Sequence, residues 1–111
     1  MTAHDIVYTF VYRHARGVMG WIWDPHQAAA NLKKHKVSFG VAERVFDDPF
    51  AATNPDPHPH EERWQTIGRP SADKPVVLLV VHTWPDDEDT EGRIISARKA
   101  EPRERKYYEE R

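Results

Sequence analysis

Apolar and polar positions change their spacing along the chain, and each change marks an element. Gly20-Trp21-Ile22-Trp23 alternates as a short first strand does. The spacing then turns helical. Asp24 stands as a cap, Pro25 suits the first helical position, and Gln27 completes a capping box with Asp24. These residues predict a helix through Leu32 toward Lys36, with Ala28, Leu32 and His35 near one face. Ser38 caps a second short helix, in which Val41 and Val45, and Ala42 and Phe46, form i, i+4 pairs, and Asp47-Asp48-Pro49 stops it.

Beyond Pro49 the period falls to two. Phe50 to Thr53 predicts a short strand, and the proline-rich stretch from Pro55 to His60 a stiff loop. Arg63 to Gly68 predicts a strand, Gly68-Arg69-Pro70-Ser71 a turn, and Val76 to Thr83 a central buried strand. Asp86 to Gly92 predicts an acidic turn, Arg93 to Arg98 another strand, and Pro102 the start of a closing helix. Short turns between neighbouring strands imply antiparallel pairing, because parallel pairing needs long crossovers. The pattern is α+β: an antiparallel sheet with two N-terminal helices and one C-terminal helix. Residues 1–18 stand apart as an N-terminal extension, or alternatively an extra edge strand, ahead of a single domain over residues 19–111.

Composition narrows the chemistry. A chain of 111 residues supports one domain with one modest core. The absence of cysteine excludes disulfides, thiolate metal sites and cysteine nucleophiles. The apolar run Pro75 to Val81 is too short to span a bilayer, and the N-terminus lacks the apolar core of a secretion signal, so a cytoplasmic location is expected. A net charge of −2 argues mildly against nucleic-acid binding, but the charges are segregated. Bases gather at Lys33, Lys34 and Lys36 and again from Arg93 to Lys106, so a basic face is compatible with the near-neutral total.

An ordered set of short motifs then carries a more specific signal. It comprises Trp23-Asp24-Pro25, Asn31-Leu32-Lys33-Lys34-His35, Val37-Ser38-Phe39 with Ala42, and Val45-Phe46-Asp47-Asp48-Pro49. It continues with Glu61-Glu62-Arg63-Trp64, Ile67-Gly68, Val80-Val81-His82-Thr83, Arg93 to Arg98, Glu104-Arg105 and Tyr108. In that order and spacing, from Met19 onward, the chain resembles the BrnT toxins of type II toxin–antitoxin systems. It departs from them at Lys36 and His26, where the family often has Gly and Lys. A Gly replaced at a helix C-cap would place Lys36 in a left-handed conformation. The resemblance implies a RelE-like fold and a growth-arresting ribonuclease that blocks translation without metal or cofactor. It further implies a BrnA-type antitoxin with a ribbon-helix-helix part, a complex with two copies of each protein, and DNA contact only through the antitoxin.

Metal-free RNA cleavage requires a base for the 2′-hydroxyl, cations for the charged phosphorane and an acid for the leaving 5′-oxygen. Arg63 and Arg98, with Arg93 beside them in the RNA-binding set, lie on predicted strands and carry donors that fit phosphate oxygens in pairs. His35 and Lys34 are the candidate proton and charge handlers, and Glu62 is read as the partner that orients Arg63, or as a base. Trp64 and Tyr108 are candidates to stack on bases. Each has a structural alternative: surface ion pairs for the arginines, a packed helix-end histidine, a solvated lysine, and core or interface aromatics. His82 reads as a satisfied core histidine, and Ser96 has no visible histidine and acid partners. Asp56, His58 and His60 invite a metal hydrolase reading, but no metal-binding frame surrounds them. The rival from another class is a non-catalytic module that acts in complex assembly and operon control.

Overall fold

The computed structural model describes residues 20–84 and 92–111, with the backbone of residues 9–11. Strand β1 (Thr9–Val11) pairs antiparallel with β2 (Trp21–Trp23). The chain then enters helix α1 (Pro25–His35) and a single α turn, α2 (Phe39–Ala42), that continues as a 3₁₀ segment over Glu43–Asp47. Strands β3 (Ala52–Asp56), β4 (Arg63–Gly68), β5 (Leu78–His82) and β6 (Gly92–Lys99) follow, and helix α3 (Pro102–Glu110) closes the chain. The expected acidic turn and most of the expected extension lie outside the described residues.

The caps set the helix boundaries. The Asp24 carboxylate accepts the backbone N–H of His26 at 2.8 Å, one residue earlier than a capping box would use. Ser38 Oγ accepts the N–H of Val41 at 3.1 Å. Lys36 ends α1 at φ 63° and ψ 24°, its N–H bonded to Leu32 O at 2.9 Å, so the left-handed cap is present without a glycine. The second helix is shorter than its i, i+4 pairs imply, and Val41 faces outward at 40% exposure.

The sheet order is β1-β2-β6-β5-β4-β3. It is mixed, not antiparallel as expected, because β2 and β6 run parallel with Trp21 opposite Gly92 and Ile22 opposite Arg93. Two helices and three strands separate β2 from β6 in the chain, a crossover long enough to allow this pairing. Gly92 is required there, since a Cβ would meet the Trp21 ring at under 3 Å. Beyond this short contact β6 outruns β2, and Asn31 of α1 takes the place of a strand. Its side chain accepts the Ala97 N–H at 3.0 Å and donates to Ala97 O at 2.8 Å and Val37 O at 3.0 Å. This contact explains why the buried residue of α1 is Asn31, whereas Leu32, on the face it shares with Ala28 and His35, is 49% exposed. At the other edge, β3 runs past its expected end through Pro55, where a missing N–H is tolerated and hinders further pairing.

One core lies between the sheet and the α1–α2 layer, around Trp21, Phe39, Val45, Val80 and Ile94. A smaller one forms on the other face, where Tyr108 of α3 packs against Ile67, Val77 and Leu79. His82 sits inside the first core among the rings of Trp21, Phe46 and Trp84. Its Nδ1 bonds to Thr83 O at 2.9 Å and its Nε2 to Thr66 Oγ1 at 2.6 Å, which satisfies both ring nitrogens of a neutral imidazole. Thr66 in turn bonds Thr53 across the strands at 2.8 Å.

A left-handed residue carrying a Cβ is disfavoured by about 1 kcal/mol relative to glycine, so Lys36→Gly is expected to stabilise the fold by that amount in urea denaturation. An unchanged or lower midpoint would show that the cap is not strained. Burial lowers the His82 pKa from 6.5 to about 4, despite an opposing hydrogen bond to Thr83 O. The neutral ring's contribution is therefore complete above pH 6.5 and falls as pH drops toward 4, where only the unfolded chain takes up the proton. Unfolding free energy should decline by about 2 kcal/mol between pH 7 and 5, and His82→Gln should flatten that slope. A wild-type curve that is flat over this range would contradict the assignment.

Candidate functional site

Strand alternation divides the side chains of β4, β5 and β6 between two faces. Trp64, His82 and Ile94 form one rung toward the helices, as do Thr66, Val80 and Ala97. Between them lie rungs that point the other way: Gln65, Val81 and Ser96, then Ile67, Leu79 and Arg98. On that second face α3 covers the end with Ile67 and Leu79. The end with Arg63 and Arg93 is polar. Arg93 pairs there with Thr83 through both backbone and side chain, Thr83 N to Arg93 O and Arg93 N to Thr83 Oγ1, each at 2.9 Å.

A β-bulge brings the β6 residues to this face together. His82 is in register with Ile94 and Val81 with Ser96, so Ile95 is skipped. Without the extra residue, Arg93 would lie on the opposite side from Ser96 and Arg98, since three and five are odd separations.

Glu61 joins the two arginines at the polar end. Its carboxylate accepts from Arg63 Nε at 2.9 Å and from Arg93 Nη2 at 2.9 and 2.8 Å. Partial burial opposes its ionisation, but the hydrogen bonds and charges of Arg93 and Arg63 outweigh that and hold the carboxyl below its ordinary range. Two guanidinium groups thus converge on one anionic group. Beside them Gln65 Nε2 donates to Asp56 Oδ1 at 2.5 Å.

The other sequence candidates are distributed around this pair. Glu62 is exposed, and Glu61 takes the orienting role expected of it. Glu61 lies in the bend just before β4, which turns its carboxylate back to Arg63. Arg98 is on the same face, but four β5 residues from the Thr83 position, about 13 Å along the strand. Its guanidinium is held by Glu104 of α3 through two bonds of 2.8 and 2.9 Å. Arg63 and Arg98 therefore do not enclose a single phosphate. Lys34 and His35 line a different cleft, of about 230 Å³, with Gln27, Asn31, Ile95 and Ser96. Ser96 is the link, since it lines this cleft and lies on the rung between the paired arginines and Arg98.

The two aromatic candidates fall elsewhere. Trp64 is on the helix-side face, in register with His82, and away from the arginines. Tyr108 donates to Asp48 Oδ2 at 2.6 Å, and burial together with Asp48 pushes its pKa up to about 12. The same carboxylate accepts the Arg69 N–H at 2.8 Å, so Tyr108 fastens α3 to the end of the 3₁₀ segment. Neither aromatic is placed to stack on a base bound at Arg63. His58 and His60 lie with ring centres 6.0 Å apart, and among the described residues no group of three or more side chains is placed to hold a metal ion. No described helix is long and apolar enough to cross a membrane.

The paired arginines make a direct prediction. Glu61→Gln removes the negative charge between them, so sulfate should bind there about tenfold more tightly than in the wild type. Arginine side-chain NMR signals of Arg63 and Arg93 would report it; unchanged affinity would show that the pair does not form an anion site.

Comparison with known proteins agrees with this architecture. The family described as "Ribonuclease toxin, BrnT, of type II toxin-antitoxin system" matches residues 23–104. No curated protein matches the chain. Among solved structures, the crystal structure of the Brucella abortus ribonuclease toxin, BrnT, is similar with a TM-score of 0.50 and 20% identity. That likeness covers 76% of this chain and 95% of the Brucella chain, and at such identity it concerns the fold.

Proposed function

The chain belongs to the BrnT family of ribonuclease toxins of type II toxin–antitoxin systems, and from that premise we propose that it is a metal-independent RNA endonuclease acting by 2′-hydroxyl attack. The observation that carries the reading is the Glu61 carboxylate shared by Arg63 and Arg93. A phosphodiester is an anion of similar breadth, and it takes the place of that carboxylate between the two guanidinium groups.

The reaction then proceeds on the polar end of the sheet. The 2′-oxygen attacks phosphorus while its proton passes to a base. The bond from phosphorus to the 5′-oxygen breaks, and that oxygen leaves with a proton, so the products are a 2′,3′-cyclic phosphate and a 5′-hydroxyl. Glu61 is the base: once Arg63 and Arg93 turn to phosphate, it loses the contacts that depress its pKa and binds protons more readily. Arg63 and Arg93 stabilise the charge on the phosphorane in a preorganised arrangement. The leaving 5′-oxygen takes its proton from solvent, while Lys34 and His35, in the separate cleft that Ser96 borders, hold a neighbouring stretch of the RNA. Arg98 holds a neighbouring phosphate once Glu104 yields.

The wider reading follows the family. The antitoxin is of the BrnA type with a ribbon-helix-helix part, and the complex contains two copies of each chain. DNA is touched only by the antitoxin, and the free toxin arrests growth in the cytoplasm through a RelE-like scaffold.

Purified protein incubated with RNA and excess chelator should release fragments ending in cyclic phosphate. Arg63→Ala and Arg93→Ala should each lower the cleavage rate by about 100-fold or more, with circular dichroism unchanged. Full activity in both variants would remove these residues from the mechanism. A wild type that binds its antitoxin but never cuts RNA would favour the non-catalytic module.

A further inference from the structure

Leu32 at 49% exposure and Val41 at 40% are two of the four large apolar side chains exposed among the described residues, and they converge on one groove. It is a depression of about 280 Å³ between the end of α1, α2 and the start of β5. Val37 and Leu78, buried in the main core, form its floor, with Val76 beside them. Lys36 and Lys99 stand on its rim, and no carboxylate lines it among the described residues. The floor is aliphatic and offers no aromatic ring for a base to stack on, which favours a protein segment over RNA.

Lys36 adds a second, independent observation. It occupies a left-handed position where glycine is the less strained residue, and its side chain lines the groove. A cation thus stands at a strained backbone position, and strain of this kind points to a contact made by the side chain.

We infer that this groove anchors the antitoxin, through an amphipathic segment that places aliphatic side chains over Leu32 and Val41 and carboxylates against Lys36 and Lys99. The inference rests on the toxin reading above. Exposed aliphatic area sets the affinity, and the two lysines set the register and the on-rate. The groove is on the helix-covered side of the sheet, whereas Glu61, Arg63 and Arg93 are on the other. The anchor therefore holds the partner without itself touching the arginine pair.

The test uses the full chain and, as probe, the protein encoded by the reading frame adjoining its own. Leu32→Glu and Val41→Glu should each weaken that complex by about 30-fold or more, because a charge is forced against apolar surface while the exposed positions leave the fold intact. Lys36→Glu should weaken it by about tenfold, an effect that fades at high salt. RNA cleavage by all three variants should equal that of the wild type. Unaltered binding by the Leu32 and Val41 variants would overturn the inference while leaving the toxin reading in place, since the wild type would still cleave and be neutralised. Loss of cleavage with binding retained would assign the groove to RNA instead, and also overturn it. A wild type that neither cleaves RNA nor binds the probe would bring down the toxin reading, and this inference with it.

Discussion

The single skipped residue in β6 decides what the sheet presents to its surroundings. With Ile95 out of register, Arg93, Ser96 and Arg98 share a face, and Ile94 and Ala97 remain in the core on the other. A regular strand would have placed Arg93 in opposition to the other two. The bulge therefore reconciles two demands on one strand: a continuous apolar face for the α1–α2 layer, and a continuous polar face with cations along it. Asn31 supports the same strand from outside, because its amide pairs with both backbone groups of Ala97 just beyond the bulge.

Carboxylates hold those cations in place. Glu61 lies between Arg63 and Arg93, and Glu104 holds Arg98. The side chains involved are 18–33% exposed, so these pairs are neither sealed in the core nor fully screened by solvent. In that regime an ion pair contributes little to stability but orients its partners well. The pairs also explain how a chain of net charge −2 presents guanidinium groups in a set geometry. The second carboxylate has an additional role: Glu104 accepts the Glu101 N–H at 2.8 Å and so caps α3 while it restrains Arg98. Glu104 thus couples the sheet face to the closing helix, beside the packing of Tyr108 on Ile67, Val77 and Leu79.

Much of this was legible in the sequence where local chemistry dominates. Arg63–Gly68, rich in strand-forming residues and ended by a Gly-Arg-Pro turn, is a strand over those residues, and Pro102 opens the last helix where a proline is best tolerated. Asp24, Ser38 and the left-handed Lys36 were visible as caps for the same reason. What was not legible depends on contacts distant in sequence. The parallel pairing of β2 with β6 joins residues some seventy positions apart. Asn31 looks like an ordinary polar helix residue until the unpaired edge of β6 is placed beside it. Glu61 lies in a bend ahead of β4, so no strand alternation distinguishes it from Glu62 as the partner of Arg63. The bulge at Ile95 leaves no mark in composition, so the common face of Arg93 and Arg98 could be seen only in three dimensions.

The central claim is that phosphate of the RNA substrate binds between Arg63 and Arg93, on the face away from α1 and α2. It is tested most directly by titrating the protein with a 2′-O-methyl RNA oligonucleotide, which cannot be cleaved by 2′-oxygen attack, and following arginine and backbone NMR signals. Shifts are expected at Arg63, Arg93 and Ser96, with Trp64 and His82 on the opposite face unmoved. Shifts confined to the helix-covered face, or none at the paired arginines under saturating RNA, would contradict it.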